Sequence, residues 1–134
     1  MTRPVWEPDG RRVTVTSGMQ LVSVPAAGGG ESTLLLAPDA GATVLFPLAW
    51  SRTGGILAYS RPVATTGRDI WTVQPGAPPR PFVATLRDER SAMFSPDGRW
   101  IVYAETEAGR DEQVYVQPYP GPGDPPGNFS RWRY

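Results

Sequence analysis

The chain has 134 residues with thirteen basic and thirteen acidic side chains, no His and no Cys, and every basic residue is Arg. That composition excludes a metal site built on thiolate or imidazole, a Ser-His-Asp or Cys-His arrangement, a Schiff-base lysine and a Walker loop within the chain. Zero net charge weighs against a nucleic-acid partner, and the absence of Cys is compatible with any compartment.

The first predicted unit opens on Trp6, turns through Glu7-Pro-Asp-Gly10 and runs into a β-prone segment ending at Val15. A second strand is predicted over Gln20–Val24 and a third over Ser32–Leu36; Gly28-Gly-Gly30 joins them as a flexible turn, not a phosphate cradle, because it opens no helix. The second unit repeats the order with Trp50, the turn Ser51-Arg-Thr-Gly54, and strands over Ile56–Tyr59, Asp69–Val73 and Pro81–Thr85. The third begins at Phe94, turns through Ser95-Pro-Asp-Gly98, and places strands over Trp100–Tyr103 and Gln113–Gln117 before a Pro- and Gly-rich run. Pro96 presets φ, Asp97 bonds its own downstream backbone, and Gly98 tolerates a positive φ, so the acid in the turn is structural.

Trp6, Trp50 and Phe94 stand 44 residues apart each time. Self-similarity at such a period marks a stacked supersecondary unit that cannot bury its apolar faces alone. With the segment carrying the opening aromatic added, each unit holds about four strands, the content of one propeller blade. Trp100 and Val102 point to one side of their strand, Ile101 and Tyr103 to the other, so both faces are apolar, as in a strand buried between stacked sheets. No segment has a helical period with caps. The expected fold is all-β, a partial β-propeller of about three four-stranded blades, the third incomplete. Residues 1–134 form one domain, with units at 6–49, 50–93 and 94–123 and a divergent tail at 124–134. Closed propellers hold about four to eight blades, so three leave an open arc with bare faces. A truncated gene product, a fragment of an assembly and closure by self-association all account for it.

Phe94-Ser-Pro-Asp-Gly98 resembles the aromatic-Ser-Pro-Asp-Gly signature of the WD40-like or TolB-like (PD40) propeller repeat; Trp6-Glu-Pro-Asp-Gly10 matches it nearly, and Trp50-Ser-Arg-Thr-Gly54 lacks the Pro and Asp. Thr66-Gly-Arg-Asp-Ile-Trp-Thr-Val73, Pro79-Arg-Pro-Phe-Val-Ala-Thr85, Gly109-Arg-Asp-Glu112 and Val114-Tyr-Val-Gln-Pro-Tyr-Pro-Gly-Pro-Gly123 are similar to the propeller that follows the kinase domain in many bacterial receptor-like serine/threonine kinases. The likeness covers residues 4–123 and fades after Gly123. It implies a non-catalytic sensory or binding scaffold in a larger bacterial protein, with the propeller outside the cytoplasm. The alternatives are the substrate-filtering propeller of a prolyl-oligopeptidase-type serine peptidase and a TolB-like envelope interaction protein. Neither a His-Arg-Asp kinase loop nor a Gly-x-Ser-x-Gly elbow occurs.

The residues left for chemistry are carboxylates, Ser, Tyr and Arg. Glu105, Glu107, Asp111 and Glu112 cluster between two strands, but they lack the Asp-x-Asp-x-Asp-Gly spacing of a calcium loop and read as a solvated turn. Arg68-Asp69 and Arg110-Asp111 read as a repeated turn with a local ion pair; the competing reading is a polar ring at one propeller mouth. Trp6, Trp50, Tyr59, Trp71, Phe94, Trp100, Tyr103 and Tyr115 fall at strand or template positions and read as core. Trp132 and Tyr134 lie outside the template and could form a sticky tail with Arg131 and Arg133. Asn128-Phe-Ser130 fits the glycosylation pattern by chance as easily as by design, and the prolines of 118–126 read as a stiff connection.

No catalytic, cofactor or metal residue is assigned. A protein or peptide partner is expected, as is self-association that closes the ring; nucleic acid and membrane insertion are not. Met1-Thr-Arg-Pro4 leads into the first template without an apolar segment, so a soluble, unexported product is expected of the sequence as written.

Overall fold

The computed structural model describes residues 3–41, 43–65, 67–120 and 132–134. Twelve strands form three antiparallel four-stranded sheets, and among the described residues there is no helix. The first sheet is β1 (Val5–Trp6), β2 (Arg12–Ser17), β3 (Gln20–Pro25) and β4 (Thr33–Leu36) in that order. The second is β5 (Phe46–Trp50), β6 (Leu57–Val63), β7 (Gly67–Val73) and β8 (Arg80–Val83), and the third is β9 (Asp88–Phe94), β10 (Trp100–Thr106), β11 (Gln113–Pro118) and β12 (Trp132–Arg133). Each template aromatic closes the first strand of its sheet. The third sheet takes its fourth strand from the segment read as a divergent tail: Arg133 pairs with Tyr115 and Trp132 with Val116. The Trp132 ring lies 5.6 Å from that of Trp100, so it joins the sheet and is not a separate sticky tail. Asn128-Phe-Ser130, Pro125-Pro126 and Arg131 lie outside the described residues.

Turn chemistry explains the repeat. Glu7, Ser51 and Ser95 each donate a backbone N–H to the carbonyl of Arg12, Ile56 and Trp100, at 3.0, 2.8 and 2.9 Å. Asp9 accepts from the Arg11 amide at 2.8 Å, and Asp97 accepts from the Ser95 hydroxyl at 2.6 Å and the Arg99 amide at 3.1 Å. The Ser95 hydroxyl, followed by the Arg99 amide and guanidinium, holds the Asp97 carboxyl well below the usual carboxylate range. In the second unit Thr53 replaces the Asp, and its hydroxyl donates to the Asp97 carbonyl at 3.3 Å, tying one turn to the next. The left-handed position there is Gly55, one residue later than the template Gly54.

Stacking supplies the core. Leu21 of the first sheet packs with Leu45, Leu57, Tyr59 and Val73, while Ala58, Ile70 and Val83 of the second pack with Ala92, Ile101 and Tyr103 of the third. The second sheet is thus buried on both faces. The outer two are not: Trp6 and Trp100, read as core, are 62% and 37% exposed. Each lies on the face turned away from the middle sheet, where no other sheet of the described residues stands opposite. Tyr59 and Tyr103 are buried, and Trp50, Trp71, Phe94 and Tyr115 are half-buried against the clusters.

Gly98 has φ +72°, and a Cβ there would stand 2.2 Å from the Thr53 hydroxyl. Gly98→Ala is expected to lower stability by about 1–3 kcal/mol, with the double variant Gly98→Ala/Thr53→Ala recovering only the part due to the Thr53 hydroxyl, since Ser51 Oγ would still stand 2.9 Å from the added Cβ. Tyr103→Ala is expected to cost about 3–5 kcal/mol and Trp100→Ala less than half of that, both read from urea unfolding.

Candidate binding groove

The innermost strands β1, β5 and β9 stand side by side along the concave side of the arc, and a groove of about 650 Å³ runs across them. Its floor is apolar, from Val5, Pro47, Leu48, Ala49, Ala92 and Phe94, with Arg3 and Arg52 among its polar lining. A second cavity of about 440 Å³ shares Arg3, Pro47, Leu48 and Ser91 with it and adds Ser60, Arg68, Arg90 and Glu112. Both volumes lie in the range of ligand sites, about 300–1,000 Å³, and an apolar groove with a few polar groups in its lining is the usual chemistry of such sites.

Backbone irregularity shapes this groove. Pairing of β5 with β6 steps from Pro47 opposite Tyr59 to Ala49 opposite Ala58, leaving Leu48 as an extra residue. Pairing of β9 with β10 steps from Met93 opposite Val102 to Arg90 opposite Ala104, and Ser91 in that step has φ +61°, the only non-glycine among the described residues with a positive φ. Bulges re-aim side chains, and a left-handed serine costs about 1–3 kcal/mol and persists only where its surroundings hold it there. Leu48 and Ser91 both line the two cavities.

Behind the groove, the joint between the second and third sheets carries ion pairs beside its apolar cluster. Arg68 meets Asp88 through two hydrogen bonds of 2.9 and 3.0 Å, and Arg90 pairs with the same carboxylate. Burial works to raise the Asp88 carboxyl, but the hydrogen bonds from Arg68 and Arg90 hold it below its ordinary range. Glu105 is a buried residue of β10 bound to Arg87 at 2.6 Å; Arg87 also lies 3.9 Å from Glu107, which Arg110 meets at 3.5 Å. The solvated-turn reading is therefore corrected for Glu105: it projects from a strand into the inter-sheet joint. Glu107, Asp111 and Glu112 are exposed, and Glu112 lines the second cavity. The local-pair reading is corrected as well. At Arg68 the pair is not local, since it reaches Asp88 across the joint while Asp69 is buried; Arg110 does pair within its own turn, with Glu107 and not Asp111. No grouping of acids among the described residues is arranged to hold a metal ion.

Glu89 was not singled out in the sequence, where an acid in a mixed-charge run carries no signal of burial. It is fully buried; one carboxylate oxygen accepts from the Thr85 hydroxyl and the other has no hydrogen-bond partner among the described residues. Burial, with Asp69 and Glu105 nearby, pushes its carboxyl up to about 7. An acid raised above its unfolded value binds its proton more tightly in the folded state, so stability declines as pH rises from the unfolded value, about 4.5, to about 7. The slope from this one group is at most about 1.4 kcal/mol per pH unit. The melting temperature is expected to fall between pH 5 and pH 8, and Glu89→Gln to flatten the fall; an unchanged slope in the variant would place the titrating group elsewhere.

No family model matches the chain, and no curated protein matches it. Solved structures do. TolB from Acinetobacter baumannii superimposes with a TM-score of 0.70 at 17% identity over 99% of this chain and 31% of that one. A TolB-type chain from Agrobacterium tumefaciens gives 0.54 at 19% identity over 86% of this chain and 57% of that one. The chain thus spans less than two thirds of either. Three unclosed four-stranded sheets stacked around a concave groove have the fold of an arc of a TolB-like β-propeller.

Proposed function

We propose that this chain is a recognition scaffold without catalytic chemistry of its own, and that it holds an extended protein or peptide segment along the groove of β1, β5 and β9. The carrying observation is the groove itself: an apolar floor with two bulged positions, Leu48 and Ser91, and with Arg3 and Arg52 in its lining. An extended segment suits a shallow channel floored by strands, and the arginines favour acidic residues flanking its apolar centre. The propeller arc of the solved TolB structures supports an interaction module of that type. The finer placement, a sensory propeller attached to a receptor-like serine/threonine kinase, is supported by Gly109-Arg-Asp-Glu112 and the run from Val114 to Gly123. The neighbouring coding sequence separates the two: a kinase domain upstream supports the sensory reading, an export signal with further blades the TolB-like one.

Peptides selected from a random library on the 134-residue chain are expected to share an apolar centre with acidic flanks. In amide-resolved NMR they should perturb Leu48, Ser91 and Phe94 first. Arg52→Glu should weaken them by about tenfold. Peptides that bind this variant unchanged and perturb other residues would overturn the reading.

A further inference from the structure

The repeat makes one hydroxyl position comparable in the two joints. Thr16 of β2 and Ser60 of β6 stand one period of 44 residues apart. In the first joint the Thr16 hydroxyl donates to the Leu45 carbonyl at 2.8 Å. Ser60 lies opposite Ile70 in the pairing of β6 with β7, which puts it on the face that the second sheet turns to the third. It is 3% exposed, and its hydroxyl has no hydrogen-bond partner among the described residues. It lines the cavity of about 440 Å³ beside the groove.

The surroundings of that hydroxyl are cationic. Arg3, Arg68 and Arg90 line the cavity with it, against the one carboxylate of Glu112. Arg68 and Arg90 both draw on the carboxylate of Asp88, Arg68 through its Nε and a terminal nitrogen, Arg90 through a terminal nitrogen. The Arg90 Nε is buried and has no hydrogen-bond partner among the described residues. A guanidinium N–H can only donate and a hydroxyl can donate, so both orphaned atoms accept the same kind of guest, an oxygen with lone pairs. The surrounding charge selects a negative one. About 10–15 Å³ is enough to hold a single water, so 440 Å³ has room for a whole side chain. The cavity shares Arg3, Pro47, Leu48 and Ser91 with the groove, and a guest reaches it from there. The left-handed bulge at Ser91, next to Arg90 in the same lining, is the kind of held strain that accompanies binding sites.

We propose that this cavity receives a carboxylate carried by the segment in the groove, with the Ser60 hydroxyl and the Arg90 Nε donating to its oxygens and Arg3 and Arg68 supplying positive charge around it. The proposal rests on the groove reading for the carrier, but the carboxylate site itself is open to a small free carboxylate as well. A side chain and a chain end present the same group, and the experiment separates them. Glu112 is the one lining residue that repels such a guest, and its exposed side chain lets that repulsion be removed without touching the joint.

The first arm titrates acetate, with acetamide as the uncharged control, into the 134-residue chain at constant ionic strength and follows amide NMR signals. Acetate is expected to shift Ser60, Arg90 and Ser91 saturably, and acetamide to leave them. Ser60→Ala should weaken acetate about tenfold. It should also leave the melting temperature unchanged or raised, because it removes a hydroxyl that bonds nothing in the chain; a merely structural hydroxyl would lower it. Glu112→Gln should tighten acetate, and it decides the matter should Ser60→Ala not fold. The second arm uses the peptides selected on the groove. Replacing their acidic residues by amides, or amidating their C-terminus, should cost about tenfold for whichever carboxylate enters, and the cost should be smaller on Ser60→Ala. Loss on the first change identifies a side chain, loss on the second a chain end. Acetate that shifts nothing saturably, or that neither variant affects, overturns the proposal, as do peptides whose affinity depends on no carboxylate; the groove reading survives these results, since it needs only peptide bound at Leu48 and Phe94. Acetate bound at Ser60 with no peptide in the groove overturns the groove reading and, with it, the segment as carrier.

Discussion

Sheet-on-sheet stacking is the constraint on which every other feature of this molecule depends. A four-stranded sheet of this size has two apolar faces and no means of covering either, and only the second sheet has both covered. Leu57 and Tyr59 look one way while Ala58 looks the other, and all three are essentially inaccessible. Burying a side chain of the size of Leu or Ile is worth about 1.5–3 kcal/mol, so most of the stability resides in the two joints and little within any one sheet. The turns serve the same end. Thr53 bonding the Asp97 carbonyl, and Gly98 packed against Thr53 and Ser51, fix one sheet against the next at the end of the arc where the template turns lie.

The two joints are built from different chemistry. Between the first and second sheets two polar contacts are neutral, the Trp50 indole donating to Thr14 at 2.9 Å and the Thr16 hydroxyl donating to the Leu45 carbonyl at 2.8 Å, and an ion pair joins Arg61 of β6 to Asp39 of the β4–β5 connection at 2.9 Å. Between the second and third sheets, Arg68, Arg87, Arg90, Asp88, Glu89 and Glu105 crowd one end. Buried charge contributes little net stability after desolvation, but removing one partner leaves a stranded charge. The second joint therefore has stricter requirements on its partners, and it alone responds to pH near neutrality, through Glu89.

The period, the strands and the template turns were legible in the sequence because they rest on local chemistry: an aromatic, an Asp that bonds its own backbone, a Gly at positive φ. β12 was not, since two residues, Trp132 and Arg133, make no β-prone run and their strand is defined only by Tyr115 and Val116 opposite. Arg68 stood beside Asp69 in sequence, and nothing local shows that its partner is Asp88, twenty residues on and in another sheet. The groove was hidden for a similar reason. Its strands share with the repeat signature only the aromatic that ends each of them, and the left-handed bulge residue in β9 is Ser91 where a glycine would have given a signal.

Exposure of Trp6 and Trp100 shows what a repeat pattern can and cannot specify. The template decides which face of a sheet a residue occupies; whether that face is buried depends on whether another sheet stands opposite. Trp6 and Trp50 hold equivalent positions, yet one is largely exposed and the other is bonded to Thr14, because only the second has a neighbour. Burial in a stacked protein is accordingly a property of the joint, shared by two sheets. The groove inherits that dependence: β1 and β9 form its two sides, and Trp6 and Met93 stand where its walls meet the bare faces. Whatever stands opposite those faces therefore also borders the groove, because Trp6 and Met93 belong to both.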